Sequence, residues 1–115
     1  MDIESFRNYC ITRPGVTEEF PFNETALVFK VMGKMFALID IDTFDSISLK
    51  CEPEKAIELR EQFAGIDAAY HFNKKHWNSV TTDGSVPDSL IKDLIDHSYE
   101  LVVGGLPKKL KERLG

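Results

Sequence analysis

Two apolar runs separated by one turn constrain the fold of this chain more than any other feature. Residues 25–32 are rich in Val and Phe, Gly33-Lys34 follows, and residues 35–41 form a second apolar run. A glycine beside a polar residue between two such runs is typical of a tight β-hairpin. Both faces of this hairpin are largely apolar, so we expect it to lie centrally in a sheet.

Three further segments extend the predicted sheet. Residues 45–51 alternate between apolar and polar side chains, which is the period of a half-buried strand. Residues 68–72 and 77–82 indicate a fourth and a fifth strand, joined by a turn at residues 73–75. The sheet is therefore predicted to have five strands, and its hairpin turns make neighbouring strands antiparallel.

The acidic stretch at residues 16–24 is predicted to be a surface loop held in place by Phe20 and Phe22. A metal or partner site is the alternative interpretation. Carboxylates are usually solvated, and no His or Cys accompanies these, so the loop interpretation is preferred.

Helices are indicated at residues 2–12, where Asp2 can cap the first turn, and at residues 53–65, where Pro53 opens the helix. A long amphipathic helix begins near residue 88 and stops at Gly104-Gly105, and a short one follows from Pro107. The element order α-β-β-β-α-β-β-α-α predicts an α+β protein, with an antiparallel sheet and its helices packed on one face.

Length and composition limit the classes of protein to which the chain can belong. The 115 residues fit a single domain, residues 1–115, and a net charge of −5 argues against wholesale affinity for nucleic acid. We expect no signal peptide, no membrane association and a cytoplasmic location. Cys10 and Cys51 are too far apart for a CxxC pair, so we expect buried, reduced thiols.

The most distinctive stretch is residues 70–80, which combines the only Trp with His, Lys and Asn and contains no acidic residue. Aromatic rings beside cations and amides suit anions, nucleobases or a partner's backbone. The alternative is that Trp77 and Tyr70 are core aromatic residues and the lysines only keep a sheet edge soluble. The candidate nucleic-acid contacts are Lys34, Lys74, Lys75, His76, Trp77 and Asn78. If Lys30 and Lys50 join them in space, the acidic chain carries a local basic patch.

Several motifs together resemble the MmcQ/YjbR-like family. They lie in the same order along nearly the whole chain, at residues 14–18, 21–22, 29–37, 48–51, 70–78 and 97–102. The resemblance implies an α+β fold similar to frataxin-like proteins and DNA binding through a double-wing surface. A frataxin-like role in iron binding would need an acidic ridge on the first helix. This helix offers only Asp2 and Glu4, so we do not expect that role.

No catalytic signature is present, so we expect a non-enzymatic binding module without a cofactor. His71 and His76 lack a third ligand nearby in sequence, and no metal is expected there. DNA is the preferred partner. The alternative is a module that binds another protein or a small ligand through the sheet face and the loop of Phe20 and Phe22. A monomer or weak homodimer is expected. An enzyme whose catalytic groups converge from distant segments is the third alternative.

Overall fold

A six-stranded antiparallel sheet with helices on one face forms the protein in the computed structural model, which describes residues 1–70 and 72–114. The strands are β1 (Val16–Glu19), β2 (Ala26–Val31), β3 (Lys34–Asp40), β4 (Ser46–Lys50), β5 (Ile66–Ala68) and β6 (Trp77–Thr81). The helices are α1 (Ile3–Ile11), α2 (Pro53–Gln62), α3 (Asp88–Gly104) and α4 (Lys108–Leu114). The strand order is β1-β2-β3-β4-β6-β5. The α+β class is confirmed.

The expected count of five strands is wrong, because part of the acidic stretch predicted as a loop is strand β1. Val16 pairs with Val31 and Glu18 pairs with Phe29 of β2. Glutamate is unfavourable in strands as a rule, and this strand is only four residues long. Both of its carboxylates have cationic partners, Arg7 for Glu18 and Lys30 for Glu19. These partners, which are distant in sequence, offset the negative charge of the acidic edge strand.

The central hairpin is confirmed, with a turn one residue earlier than expected. Its two turn residues are Met32 and Gly33, both with positive φ, at 50° and 83°. This is the sign pattern of a type I′ turn, whose twist matches that of the flanking strands. Lys34 is thereby the first residue of β3 rather than part of the turn.

The strand predicted at residues 68–72 lies earlier in the chain, at Ile66–Ala68. Strand β5 ends at Ala68, and Ala69 N–H donates to the Trp77 carbonyl (3.1 Å). A turn follows, in which Phe72 N–H bonds to the Ala69 carbonyl (3.0 Å), so the chain leaves the sheet there. Residues 69–70 and 72–76 therefore lie in a loop in place of the predicted tight hairpin. His71 and Gly115 lie outside the described residues, so the expectation about a metal at His71 does too.

The core lies between the sheet and the helices. Phe6 of α1 packs edge-on against Phe29 of β2, with ring centroids 5.4 Å apart. Ser98 of α3 is fully buried, accepts from Lys50 N–H (2.9 Å) and donates to the Phe36 carbonyl (2.5 Å), so one hydroxyl ties the helix to β3 and β4. The predicted cap of α1 is confirmed by a bond from Ser5 N–H to Asp2 (2.8 Å).

Cys10 and Cys51 are buried and unpaired, as expected. None of the helices described has both the length and the apolarity needed to cross a bilayer.

Candidate functional site

The loop at residues 69–76 is shaped by Asn73. Its side-chain oxygen accepts from Lys75 N–H (2.9 Å), and its carbonyl accepts from His76 N–H (3.1 Å). An Asx turn of this kind lets an asparagine side chain replace a backbone partner in a tight bend. The bend leaves Lys74 and Lys75 exposed at the loop's tip, with His76 half-buried behind them.

A concavity of about 510 Å³ joins this loop to α2. We call it the basic concavity, and it is lined by Pro53, Ile57, Arg60, Lys74, Lys75 and His76. Arg60 fixes the junction, because its Nη2 donates to the Lys74 carbonyl (3.3 Å) and its Nε donates to the Ala56 carbonyl (3.1 Å). No acidic side chain is among the described residues that line it. One arginine and two lysines therefore line a single volume, and such residues are suited to binding anions.

Two of the candidate contacts, Trp77 and Asn78, are buried side chains of β6 and do not line the basic concavity. Trp77 is 8% exposed and Asn78 is 2% exposed. Asn78 donates to the Ala56 carbonyl (3.3 Å), which connects β6 to α2. The Trp77 ring lies on the open face and stacks under Phe72, with centroids 4.6 Å apart and an interplanar angle of 21°. Both side chains are therefore placed to hold the loop and α2 in position.

The five lysines considered together in the sequence occupy three places. Lys74 and Lys75 line the basic concavity. Lys34 and Lys50 line a smaller depression of about 280 Å³ near the end of α3, and Lys30 pairs with Glu19 (3.1 Å). The five lysines therefore do not form one cluster, and the positive charge of the basic concavity comes from Arg60, Lys74 and Lys75.

The second concave feature lies on the sheet face opposite the helices. A row of cross-strand partners runs across this open face from Leu38 to Ser48, Ser79 and Asp67. Side chains directly paired across antiparallel strands point to the same face. The row is thus apolar toward β3 and polar toward β5.

Two depressions meet on this row at Ser48, and together we call them the sheet-face cleft. The apolar half, of about 450 Å³, is lined by Phe22, Asn23, Ala26, Leu38, Ser48 and Phe72. The polar half, of about 310 Å³, is lined by Ser46, Ser48, Asp67, Ala68, Ala69, Tyr70 and Ser79. Aromatic rings beside a few polar groups are characteristic of ligand pockets.

Phe20 and Phe22, which the sequence suggested as one patch, lie in different clefts. Phe20 lines a depression of about 460 Å³ with α1 residues such as Ile3 and Arg7. Phe22 is 68% exposed and lines the apolar half of the sheet-face cleft. Only Phe22 therefore belongs to the open face.

The basic concavity and the sheet-face cleft meet at Tyr70. This side chain lines the polar half of the cleft and is 71% exposed. Lys74 lines the basic concavity, and its ammonium lies 5.0 Å from the Tyr70 ring centroid. A cation over an aromatic face is attracted at this distance. One loop thus connects a cationic surface to an aromatic and hydroxyl-lined one.

Sequence reasoning missed Arg60, Phe72 and Asp67 as site residues. Arg60 was not singled out in the sequence, and only the fold brings it to Lys74. Phe72 was assigned to a strand, and its stack on Trp77 depends on the bend at Asn73. No pattern in the sequence near residue 60 indicated the contact between Arg60 and the loop.

Two further titratable side chains, His97 and Cys51, lie near the start of α2. Glu52 N–H donates to His97 Nε2 (3.1 Å), and burial, with Lys55 nearby, lowers the pKa of His97 below its usual value. Burial raises the pKa of the Cys51 thiol, which disfavours the reactive thiolate. Across residues 1–70 and 72–114, no group of three or more His, Cys, Asp or Glu is placed to hold a metal ion.

The fold and these surfaces define a class of protein: a small α+β domain whose antiparallel sheet has helices on one face and concave candidate sites on the other face and at a basic loop. The chain belongs to the YjbR family, whose model matches residues 11–101. The family expected from the motifs is confirmed.

Similar proteins support this assignment over nearly the full length. The uncharacterised protein YjbR of Escherichia coli K12 is 36% identical over 115 residues, which cover 99% of this chain and 98% of that protein. The crystal structure of DR2400 from Deinococcus radiodurans, with domain DUF419, matches with a TM-score of 0.91 and 42% identity, over 98% and 87% of the two chains. A Pseudomonas syringae crystal structure matches with a TM-score of 0.73 and 28% identity, over 88% and 98%.

Proposed function

We propose that the protein is a non-catalytic DNA-binding module whose basic concavity contacts the phosphate backbone. The observation that carries this proposal is the convergence of Arg60, Lys74, Lys75 and His76 from α2 and the loop at residues 69–76 on one volume of about 510 Å³. Arginine offers a planar fork of donors to phosphate oxygens, and lysine offers a mobile point charge.

The net charge of −5 predicts the character of this binding. The rest of the surface repels a polyanion, so affinity has to come from a few local contacts and weakens steeply as salt increases. Trp77 and Asn78 have the role of holding these contacts in place. Lys34 of β3, near the β2–β3 turn, is proposed as a second contact, and the two projections would form the double-wing surface that the family resemblance implies.

Fluorescence anisotropy of a labelled DNA duplex, titrated with protein at several salt concentrations, tests the proposal. We expect the Lys74→Ala/Lys75→Ala variant to bind more weakly and to lower the slope of log K against log salt by about one per lysine. Lys108→Ala/Lys109→Ala is the matched control, because it removes the same charge from exposed adjacent lysines on α4. Equal losses from both variants, or no binding by the unmodified protein at low salt, would refute the proposal.

A second candidate function is binding of a protein or a small ligand without catalysis. The observation that favours it is the apolar half of the sheet-face cleft, where Phe22 and Phe72 line about 450 Å³. Backbone amide chemical shifts, recorded with and without a panel of small aromatic compounds and short peptides, would locate such a ligand. Shifts confined to β2, β3 and residues 20–25 would favour this function over DNA binding.

We also propose a cytoplasmic protein that is monomeric or weakly dimeric, with the frataxin-like arrangement expected from its motifs. The two buried, unpaired thiols at Cys10 and Cys51 fit a reducing compartment. Light scattering coupled to size-exclusion chromatography would measure the oligomeric state, and a stable higher oligomer would contradict this part of the proposal.

A further inference from the structure

We infer that the sheet-face cleft seats an unpaired nucleobase of a single DNA strand, while the phosphates of that strand lie on the basic concavity. This inference rests on the proposed function and specifies the form of nucleic acid that the module takes. One ligand would then contact both the sheet-face cleft and the basic concavity. The two surfaces meet where the Lys74 ammonium lies 5.0 Å from the Tyr70 ring centroid.

The aromatic side chains of the cleft are arranged for stacking. Phe72 is supported from below by Trp77, at 4.6 Å between centroids and an angle of 21°, and it lines the cleft together with Phe22. A ring held in this way loses little freedom when a planar ligand covers it. The apolar half measures about 450 Å³, which lies within the roughly 300–1,000 Å³ typical of small-ligand pockets.

The polar half of the cleft can read the edge of a base. Ser46, Ser48 and Ser79 supply hydroxyls that both donate and accept hydrogen bonds, and Asp67 supplies acceptors for the N–H groups of a base. Because a carboxylate repels phosphate, Asp67 also fixes the direction of the strand. The phosphates go toward Lys74 and Lys75, and the base goes toward the sheet.

A duplex cannot use this cleft, since its bases are stacked and paired and present only their edges in the grooves. An unpaired strand exposes base faces to aromatic side chains, as in other sheets that bind single strands. The inference therefore predicts a preference for single strands that the basic concavity alone would not produce.

The test compares a labelled oligonucleotide, as a single strand and annealed to its complement, by fluorescence anisotropy at one low salt concentration. We expect the single strand to bind more tightly, by on the order of tenfold. Phe22→Ala and Phe72→Ala should each weaken single-strand binding by a similar factor, and Phe22→Ala should leave duplex binding unchanged. The RNA strand of the same sequence, run in parallel with its own duplex, distinguishes DNA from RNA as the source of the base.

Phe20→Ala is the matched control, because it removes an exposed Phe from the same segment but from a different cleft. Phe22→Ala keeps the test decisive if Phe72→Ala fails to fold, since Phe22 is 68% exposed. Equal binding of single strand and duplex, or equal losses from Phe20→Ala and Phe22→Ala, would overturn the inference while DNA binding stood. Failure of both DNA forms to bind would instead remove the proposed function and the inference with it.

Discussion

The two faces of the sheet use the same strands for different purposes. On the helix-covered face, Phe29, Ile39 and Ile47 are fully buried under α1 and α3. On the open face, the row from Leu38 to Asp67 is covered only in part, and Phe22 and Tyr70 are exposed at its borders. Stability should therefore reside on the first face and binding on the second. Variants on the two faces can test whether stability and binding are divided in this way.

The largest effect is expected from Phe29→Ala. Phe29 is fully buried and packs edge-on against Phe6, so its removal leaves a cavity and should cost about 3–5 kcal/mol of unfolding free energy. Urea denaturation followed by circular dichroism would measure it. Leu38→Ala, on the open face and half-buried, should lose clearly less stability. If the two losses were equal, the division between the faces would fail.

A smaller but substantial loss is expected from Ser98→Ala. This buried hydroxyl bonds to both Lys50 N–H and the Phe36 carbonyl, and alanine leaves those two backbone groups without this partner. Loss of a buried partner of this kind costs about 1–3 kcal/mol. Ser89→Ala, at an exposed position of the same helix, is the control. Unfolding free energies that match for the two variants would show that Ser98 does not tie α3 to the sheet.

The helix-covered face was largely predictable from the sequence. The stripe of Ile91, Leu94 and Ile95 on α3 has helical spacing, and the two runs of the central hairpin have strand periodicity. Such patterns arise because one face of each element is removed from water, and that requirement is visible locally. The core could therefore be inferred without knowing which elements meet.

The open face and the basic concavity depend on contacts between distant segments. Strand β1 is acidic, and it pairs with β2 while Arg7 and Lys30 pair with its carboxylates. Arg60 joins Lys74 only once α2 lies beside the loop at residues 69–76. Lys74, Lys75 and His76 were chosen from local composition, and no local pattern indicated that Arg60 would join them while Lys34 would lie elsewhere.

The stability of the helix-covered side should also depend on pH through His97. Its neutral ring accepts a hydrogen bond from Glu52 N–H, and burial lowers its pKa in the folded protein. In the unfolded chain the ring takes up a proton at a higher pH than in the folded one. Stability is therefore complete above the unfolded pKa, near 6.5, and falls as pH decreases below it.

Unfolding free energies measured at several pH values between about 5 and 7.5 would test the role of His97. His97→Gln removes the titrating group and keeps a side chain that can accept a hydrogen bond, so the decrease toward low pH should become shallower. His76→Gln is the control for a histidine in the basic concavity. If His97→Gln left the pH profile unchanged, another group would account for it.

The smallest effect on stability is expected from Phe22→Ala, the variant that should matter for binding. Phe22 is 68% exposed at the border of the sheet-face cleft, so its loss should change the unfolding free energy by no more than about 0.5 kcal/mol. Chemical denaturation beside Phe20→Ala would measure the difference. A loss comparable to that of Ser98→Ala would mean that Phe22 holds the fold together. In that case the open face would be a second core, and its exposed aromatic side chains would no longer require a ligand to explain them.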